Sequence, residues 1–171
     1  MAGLSSRMWV DTDFIKRLPN LPSDVQKAAQ IAVRKTNQWF RHITMTELGY
    51  ELAIDNKAAL RSRFKVYRQG GVRARLWVGI RDIGVHRLGK PVQQKEGVAV
   101  GERFFEKAFI SPMNSSELLV FRRTGKHRSQ IEMVQLDIAD EAEEIIGSYQ
   151  ADLNRKFEEI FTREFHRLYS T

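Results

Sequence analysis

The hydrophobic period changes twice along this chain, and that alternation constrains the fold more than any other feature. Val25, Ala28, Ala29, Ala32, Thr36, Trp39, Phe40 and Ile43 recur at helical spacing, with Lys27, Arg34, Lys35 and Arg41 on the opposite side. Near residue 61 the period drops to two. Phe64 and Val66 alternate with Arg63, Lys65 and Tyr67, and Ala74, Leu76, Val78 and Ile80 alternate with Arg73, Arg75 and Trp77. Near residue 138 the helical period returns in Ala142, Ile145, Ile146, Tyr149, Leu153, Phe157, Ile160, Phe161 and Leu168. Such a pattern predicts an α+β fold: an antiparallel β-sheet of about five or six strands, flanked by a long N-terminal helix and a long C-terminal helix.

The first helix is expected from about Asp24 to Glu47, ending near Gly49, with Ser23 and Gln26 spaced as a capping box behind Pro22. A short helix is expected over Asn56–Leu60 with Asp55 as its cap. In the hairpin, Phe64 and Val66 must share a face with Ala74 and Leu76, so the connecting loop holds an odd number of residues. The simplest loop, Gln69-Gly70-Gly71, sets Val66 opposite Ala74, Phe64 opposite Leu76, Lys65 opposite Arg75 and Arg63 opposite Trp77. Residues 81–96 read as a long loop. Further strands are expected at Val98–Val100, Ala108–Ser111, Leu118–Arg123 and Ile131–Ile138, with a turn at Pro112-Met113-Asn114-Ser115.

The last helix is expected from Asp140 to Leu168, about 43 Å at 1.5 Å per residue. Acidic residues crowd its first turns, and Arg163, His166 and Arg167 its last, as the helix dipole favours. Its distal end either packs on its own sheet or reaches a neighbouring subunit. Residues 1–22 read as an N-terminal arm, docked on its own domain as a strand or helix turn, or on a neighbour. Residues 23–171 form a single α+β domain.

The 171 residues leave room for one core. No apolar run approaches the roughly 20 residues of a membrane span. The N-terminus lacks a basic stretch followed by an apolar block, so no secretory signal is expected. There are no cysteines, which removes disulfides, thiolate metal sites and a cysteine nucleophile. Four scattered histidines make no metal site, and neither metal nor cofactor is expected. Charge is the informative property. Residues 57–128 hold 17 Lys and Arg against 5 Asp and Glu, whereas the flanks are net acidic. An anionic partner, or a basic face that meets an acidic face of another subunit, follows from that polarity.

No catalytic signature is present. Gly70-Gly71 lacks the Lys-Ser or Lys-Thr of a phosphate loop, Gly97-Val98-Ala99-Val100-Gly101 lacks the dinucleotide fingerprint, and there is no Gly-x-Ser-x-Gly. Asp82 with His86, or Glu132 with His127, could be proposed as acid/base pairs, and surface placement beside a basic loop is the plainer reading. Two clusters carry more weight. Lys65 opposite Arg75 needs a neutralising partner, either phosphate or the acidic start of the last helix, where Glu141, Glu143 and Glu144 lie. Arg63 beside Trp77 reads as a cation–π pair. Arg122-Arg123-Thr124-Gly125-Lys126-His127-Arg128 sets four fixed positive charges on a strand-to-strand loop, suited to sequence-independent contact with a nucleic-acid backbone.

In order along the chain come Arg73-Ala74-Arg75-Leu76-Trp77-Val78-Gly79-Ile80, Val85-His86-Arg87-Leu88-Gly89, Gly97-Val98-Ala99-Val100-Gly101 and Lys107-Ala108-Phe109-Ile110. They are followed by Phe121-Arg122-Arg123-Thr124-Gly125-Lys126 and Ile131-Glu132-Met133-Val134. This ordered set resembles the minor tail protein Z family of lambda-like phages and prophages, the tail completion proteins. The family often has Pro-Gly before Ala-Phe-Ile, where this chain has Glu106-Lys107, and Leu-Pro before the final strand, where it has Ser129-Gln130.

The resemblance implies a virion structural protein rather than an enzyme. It would sit at the head-proximal end of the tail, in the virion, and in the host cytoplasm during assembly. Its partners would be itself in a hexameric ring, tail terminator or tail tube proteins, head-side connector proteins and phage DNA bound non-specifically, with no membrane. On that reading Lys90, Arg122, Arg123, Lys126 and Arg128 approach the DNA lumen, while Lys65, Arg75, Glu141, Glu143 and Glu144 lie at the subunit interface. A free basic nucleic-acid-binding protein is the alternative.

Overall fold

Three alanines in two turns let the first helix come close to its neighbours. In the computed structural model, which describes residues 7–13, 22–54, 57–68, 73–112 and 117–169, Ala28, Ala29 and Ala32 of helix α1 (Ser23–Glu51) are fully buried. Val33, Phe40 and Leu48 continue the buried stripe. Thr44 and Asn37 lie on it too, and each donates a side-chain hydrogen bond to the carbonyl four residues back, at 2.7 Å to Phe40 and 2.9 Å to Val33.

The ends of α1 differ from expectation. Ser23 is the first helical residue, not the cap, and no side chain caps the start. Gly49 lies inside the helix. The helix stops at Glu51, and Ala53, about one turn beyond Gly49, takes a left-handed φ of 45°. Ala53 N–H bonds Tyr50 O at 3.0 Å and Ile54 N–H bonds Gly49 O at 2.9 Å. That double closure is a Schellman motif, with alanine where glycine is usual. A one-turn helix α2 (Ala58–Arg61) follows, and the expected cap Asp55 lies outside the described residues.

The first sheet holds strands β1 (Arg7–Asp13), β2 (Phe64–Arg68) and β3 (Arg73–Gly79) in the order β1-β3-β2, all antiparallel. Part of the N-terminal arm is therefore an edge strand of the chain's own sheet. The hairpin has the expected parity, with Phe64, Ala74, Leu76 and Val78 on the buried face. Its register is shifted by two residues: Val66 pairs with Leu76, Phe64 with Val78 and Lys65 with Trp77. Lys65 thus does not face Arg75. Arg75 lies between Tyr67 and Asp11 in register, so the expected like-charge clash does not form.

Residues 81–96 are more structured than a loop. They include β4 (Ile83–Gly84), a 3₁₀ turn (Val85–Arg87) and β5 (Pro91–Gln93). Strand β5 pairs with β6 (Gly97–Val100), which pairs with β7 (Arg103–Glu106), a strand the alternation did not indicate. Next, β8 (Ala108–Ser111), β9 (Leu119–Arg123) and β10 (Ile131–Met133) form a third sheet with β9 central. The expected strand Ile131–Ile138 is split: β11 (Gln135–Leu136) leaves β10 to pair with β4. The turn expected at 112–115 falls mostly outside the described residues.

The class is α+β with antiparallel strands and long helices at both ends, but the strands are distributed over several small sheets. Gln93 helps to join two of them. Its amide donates to Gly97 O at 2.9 Å and accepts from Ile110 N–H at 2.9 Å. Lys107, between β7 and β8, adopts φ 56° and its N–H bonds Glu96 O at 2.8 Å.

The last helix is two: α3 (Ala139–Gln150) and α4 (Asp152–Tyr169), interrupted at Ala151. Gly147, where a β-carbon would meet none of the described residues, and Ser148, whose hydroxyl donates to Ile145 O at 2.8 Å, weaken the helix just before the interruption. The buried stripe nevertheless runs across it, through Ala142, Ile146, Leu153, Phe157 and Ile160. Both helices pack on α1. Ala32 and Val33 of α1, Ala74 of β3, and Phe157 and Ile160 of α4 form one cluster, and the larger core spreads from Phe40 and Leu48 to the small sheets.

Candidate nucleic-acid interface

The basic loop is built on the β9–β10 hairpin, where Arg122 pairs in register with Glu132 and Arg123 with Ile131. Thr124 N–H to Gln130 O, 2.9 Å, and Gln130 N–H to His127 O, 3.1 Å, close the loop. The Gln130 amide oxygen also accepts from His127 N–H at 3.1 Å. It lies where a β-carbon on residue 125 would stand, 2.0 Å away, so Gly125 is what admits it.

The loop's four cations do not share one role. Arg122 is half-buried and its Nε donates to Glu106 O at 3.2 Å, which ties β9 to the β7–β8 turn. Arg123 is exposed and its guanidinium carbon lies 5.7 Å from the centre of the Phe109 ring. Lys126 and Arg128 are exposed at the tip. Among the described residues, no carboxylate pairs with Arg123, Lys126 or Arg128. An open cleft of about 790 Å³ runs beside them, lined by Phe109, Ser111, Arg123, His127, Arg128, Ser129 and Ile131. Exposed cations next to an aromatic ring are the chemistry that attracts a phosphate backbone without reading bases.

Lys90 is not part of that group. It lines another cleft with Ala58, His86, Arg87, Glu117 and Leu118, and among the described residues the two clefts share none. In it His86 Nε2 lies 3.7 Å from Glu117 Oε2, so the histidine's carboxylate neighbour is Glu117 and not Asp82. Burial holds the imidazole below its ordinary value; Glu117 opposes this and Arg87 adds to it. The other expected pair does not assemble either. Glu132 faces Arg122, and His127 is engaged through its backbone.

The residues expected at an interface are dispersed. Lys65 rests over Trp77, its Nζ 5.3 Å from the ring, taking the cation–π place expected for Arg63. Glu143 and Glu144 are exposed on the first turns of α3 and Glu141 is half-buried, with no ion pair among the described residues. Sequence reasoning missed Glu164 of α4, the one buried charged residue among the described residues, because an acid within a helical stripe reads as a flank position. Its oxygens meet Lys35 at 2.6 Å and Arg167 at 3.0 Å.

Among the described residues there is no cluster of three or more His, Asp or Glu able to hold a metal ion, and no helix is long and apolar enough to cross a membrane. Compared with known proteins, the chain matches no family model, no curated protein and no solved structure.

Proposed function

We propose that this protein is a virion structural subunit that completes the head-proximal end of a phage tail, closing as a ring through which DNA passes. The observation that carries the reading is the β9–β10 loop, which offers Arg123, Lys126 and Arg128 to solvent with no carboxylate partner among the described residues. Repeated around a ring, these charges form a positive collar that holds phosphates without reading sequence. The ordered motifs resembling the tail completion family supply the context. The backbone at Lys107 supports it as well. That residue stands where the family often has glycine, and it adopts φ 56°, a conformation glycine takes without steric cost. A closed ring is built from a head-to-tail interface, and the acidic first turns of α3 and the basic centre of the chain would give such an interface complementary charge.

Changing Arg123, Lys126 and Arg128 together to Ser tests the reading in assembled particles. Tails that assemble and join heads but deliver DNA poorly are the expected result. Normal DNA delivery would overturn the lumen role. Failure of assembly would place these cations at a subunit interface instead. Tight DNA binding by the isolated monomer, weakening steeply with salt, would favour a free nucleic-acid-binding protein.

A further inference from the structure

The β9–β10 loop is held at two points, and one uncharged side chain makes the second of them. At the base, the Arg123 guanidinium carbon lies 5.7 Å from the centre of the Phe109 ring, which the Phe121 ring supports at 6.1 Å. At the tip, residues 127–130 form a turn with Arg128 and Ser129 at its corners, closed by Gln130 N–H to His127 O at 3.1 Å. The Gln130 side chain closes the same turn in the opposite direction, its amide oxygen accepting from His127 N–H at 3.1 Å. The Gln130 carbonyl accepts from Thr124 N–H at 2.9 Å. One residue thus ties the start of the loop to its tip.

Space decides that the amide can sit there. A β-carbon on residue 125 would stand 2.0 Å from the Gln130 amide oxygen and 2.6 Å from the amide carbon. Gly125 leaves a notch, and the amide fills it. The turn it closes carries Arg128, which lines the same cleft as Arg123, Phe109 and Ser111. Residue type matters as well. A glutamate could accept the same hydrogen bond, but it would set a carboxylate among the cations, whereas glutamine orders them without competing for them.

We infer that Gln130 is a positioning residue for the phosphate contact, holding the turn that presents Arg128 on the Arg123 cleft before any nucleic acid arrives. The inference rests on the reading of this loop as the one that faces DNA. A disordered loop would lose backbone and side-chain freedom when phosphates gathered its cations, and that loss would be subtracted from the attraction. A loop already ordered by its own hydrogen bonds loses little.

The full-length variants Gln130→Ala, Gly125→Ala and their double test it. Hydrogen exchange at the His127 amide reads the clamp, and DNA delivery by assembled particles reads its use. Without its acceptor the His127 amide in Gln130→Ala should exchange on the order of 10-fold faster. Gly125→Ala should have the same effect, because what the new β-carbon meets is the end of a flexible side chain, which swings out of the notch. Both changes break one contact, so the double variant should be no worse than either single. In all three, tails should assemble and join heads, while DNA delivery falls toward that of the Arg123→Ser, Lys126→Ser, Arg128→Ser particles. Unchanged exchange at His127, additive losses in the double variant, or faster exchange with normal delivery would overturn the inference. Failure of these variants to assemble would also overturn it, since the clamp would then support a subunit contact. The triple serine particles keep the two claims apart. Normal delivery by them overturns the reading of the loop itself, whereas impaired delivery by them beside normal delivery by Gln130→Ala overturns only the role of Gln130.

Discussion

Lys35 on α1 and Glu164 on α4, 129 residues apart, meet at 2.6 Å, and the Glu164 side chain is only 3% exposed. The pair links the two long helices at the end of their shared buried stripe. Arg167 adds a second contact from within α4 at 3.0 Å. The partners are unequal: the Lys35 side chain is 40% exposed and Arg167 64%, so either can return to water, whereas the carboxylate cannot.

That inequality predicts an order of mutational cost. Lys35→Met leaves a buried carboxylate with weaker compensation and should cost about 2 kcal/mol. Glu164→Gln removes the buried charge, keeps the shape and leaves cations that solvent can reach, and should cost about 1 kcal/mol. Urea denaturation of both variants measures the order; the reverse order would show that the cations, not the carboxylate, depend on the pair.

Acid should act through the same group. The hydrogen bond from Lys35 holds the Glu164 carboxyl below its ordinary value, burial opposes this, and Arg167 reinforces it. Since the folded pKa is the lower one, the stabilisation is complete above the unfolded value of about 4.3 and is lost as pH falls through the folded value. Wild-type protein should therefore lose stability more steeply below about pH 4 than Glu164→Gln. Melting temperatures measured from pH 6 to about pH 3 would reveal parallel curves if the group were unimportant.

Among the described residues, two non-glycines hold left-handed backbone that glycine adopts more easily, Ala53 at the end of α1 and Lys107 between β7 and β8. Ala53→Gly and Lys107→Gly should each raise stability by roughly 0.5–1 kcal/mol, the relief of strain exceeding the added freedom of the unfolded chain. Thermal unfolding of the single variants checks the sign, and the double variant should be additive.

Gly97 is the opposite case. A β-carbon there would come within 2.1 Å of the Phe105 carbonyl oxygen, a backbone atom that cannot swing aside. Gly97→Ala should cost about 2–3 kcal/mol by forcing β6 and β7 apart. Gly147→Ala, facing open space on α3, should instead stabilise by up to about 1 kcal/mol. Equal effects at the two glycines would contradict this account of β6–β7.

The sequence by itself determined what depends on neighbours a few residues away. The two helical stripes, the faces of the hairpin, the limits of β8 and the basic loop between two strands were all legible, because burial period and charge runs are local. Tertiary structure decided what depends on distant partners. Parity could set the faces of β2 and β3 but not the two-residue offset that gives Lys65 to Trp77 and leaves Arg75 opposite Asp11. Periodicity could not assign strands to sheets, since an antiparallel ladder is chosen by whichever edge is near, as β11 chose β4 over a continuation of β10. Nor could it distinguish Arg122, held by Glu106 O, from the exposed Arg123 beside it, or mark Glu164 as buried. A charged side chain's role follows from the groups that surround it in space, and those come together only when the chain has folded.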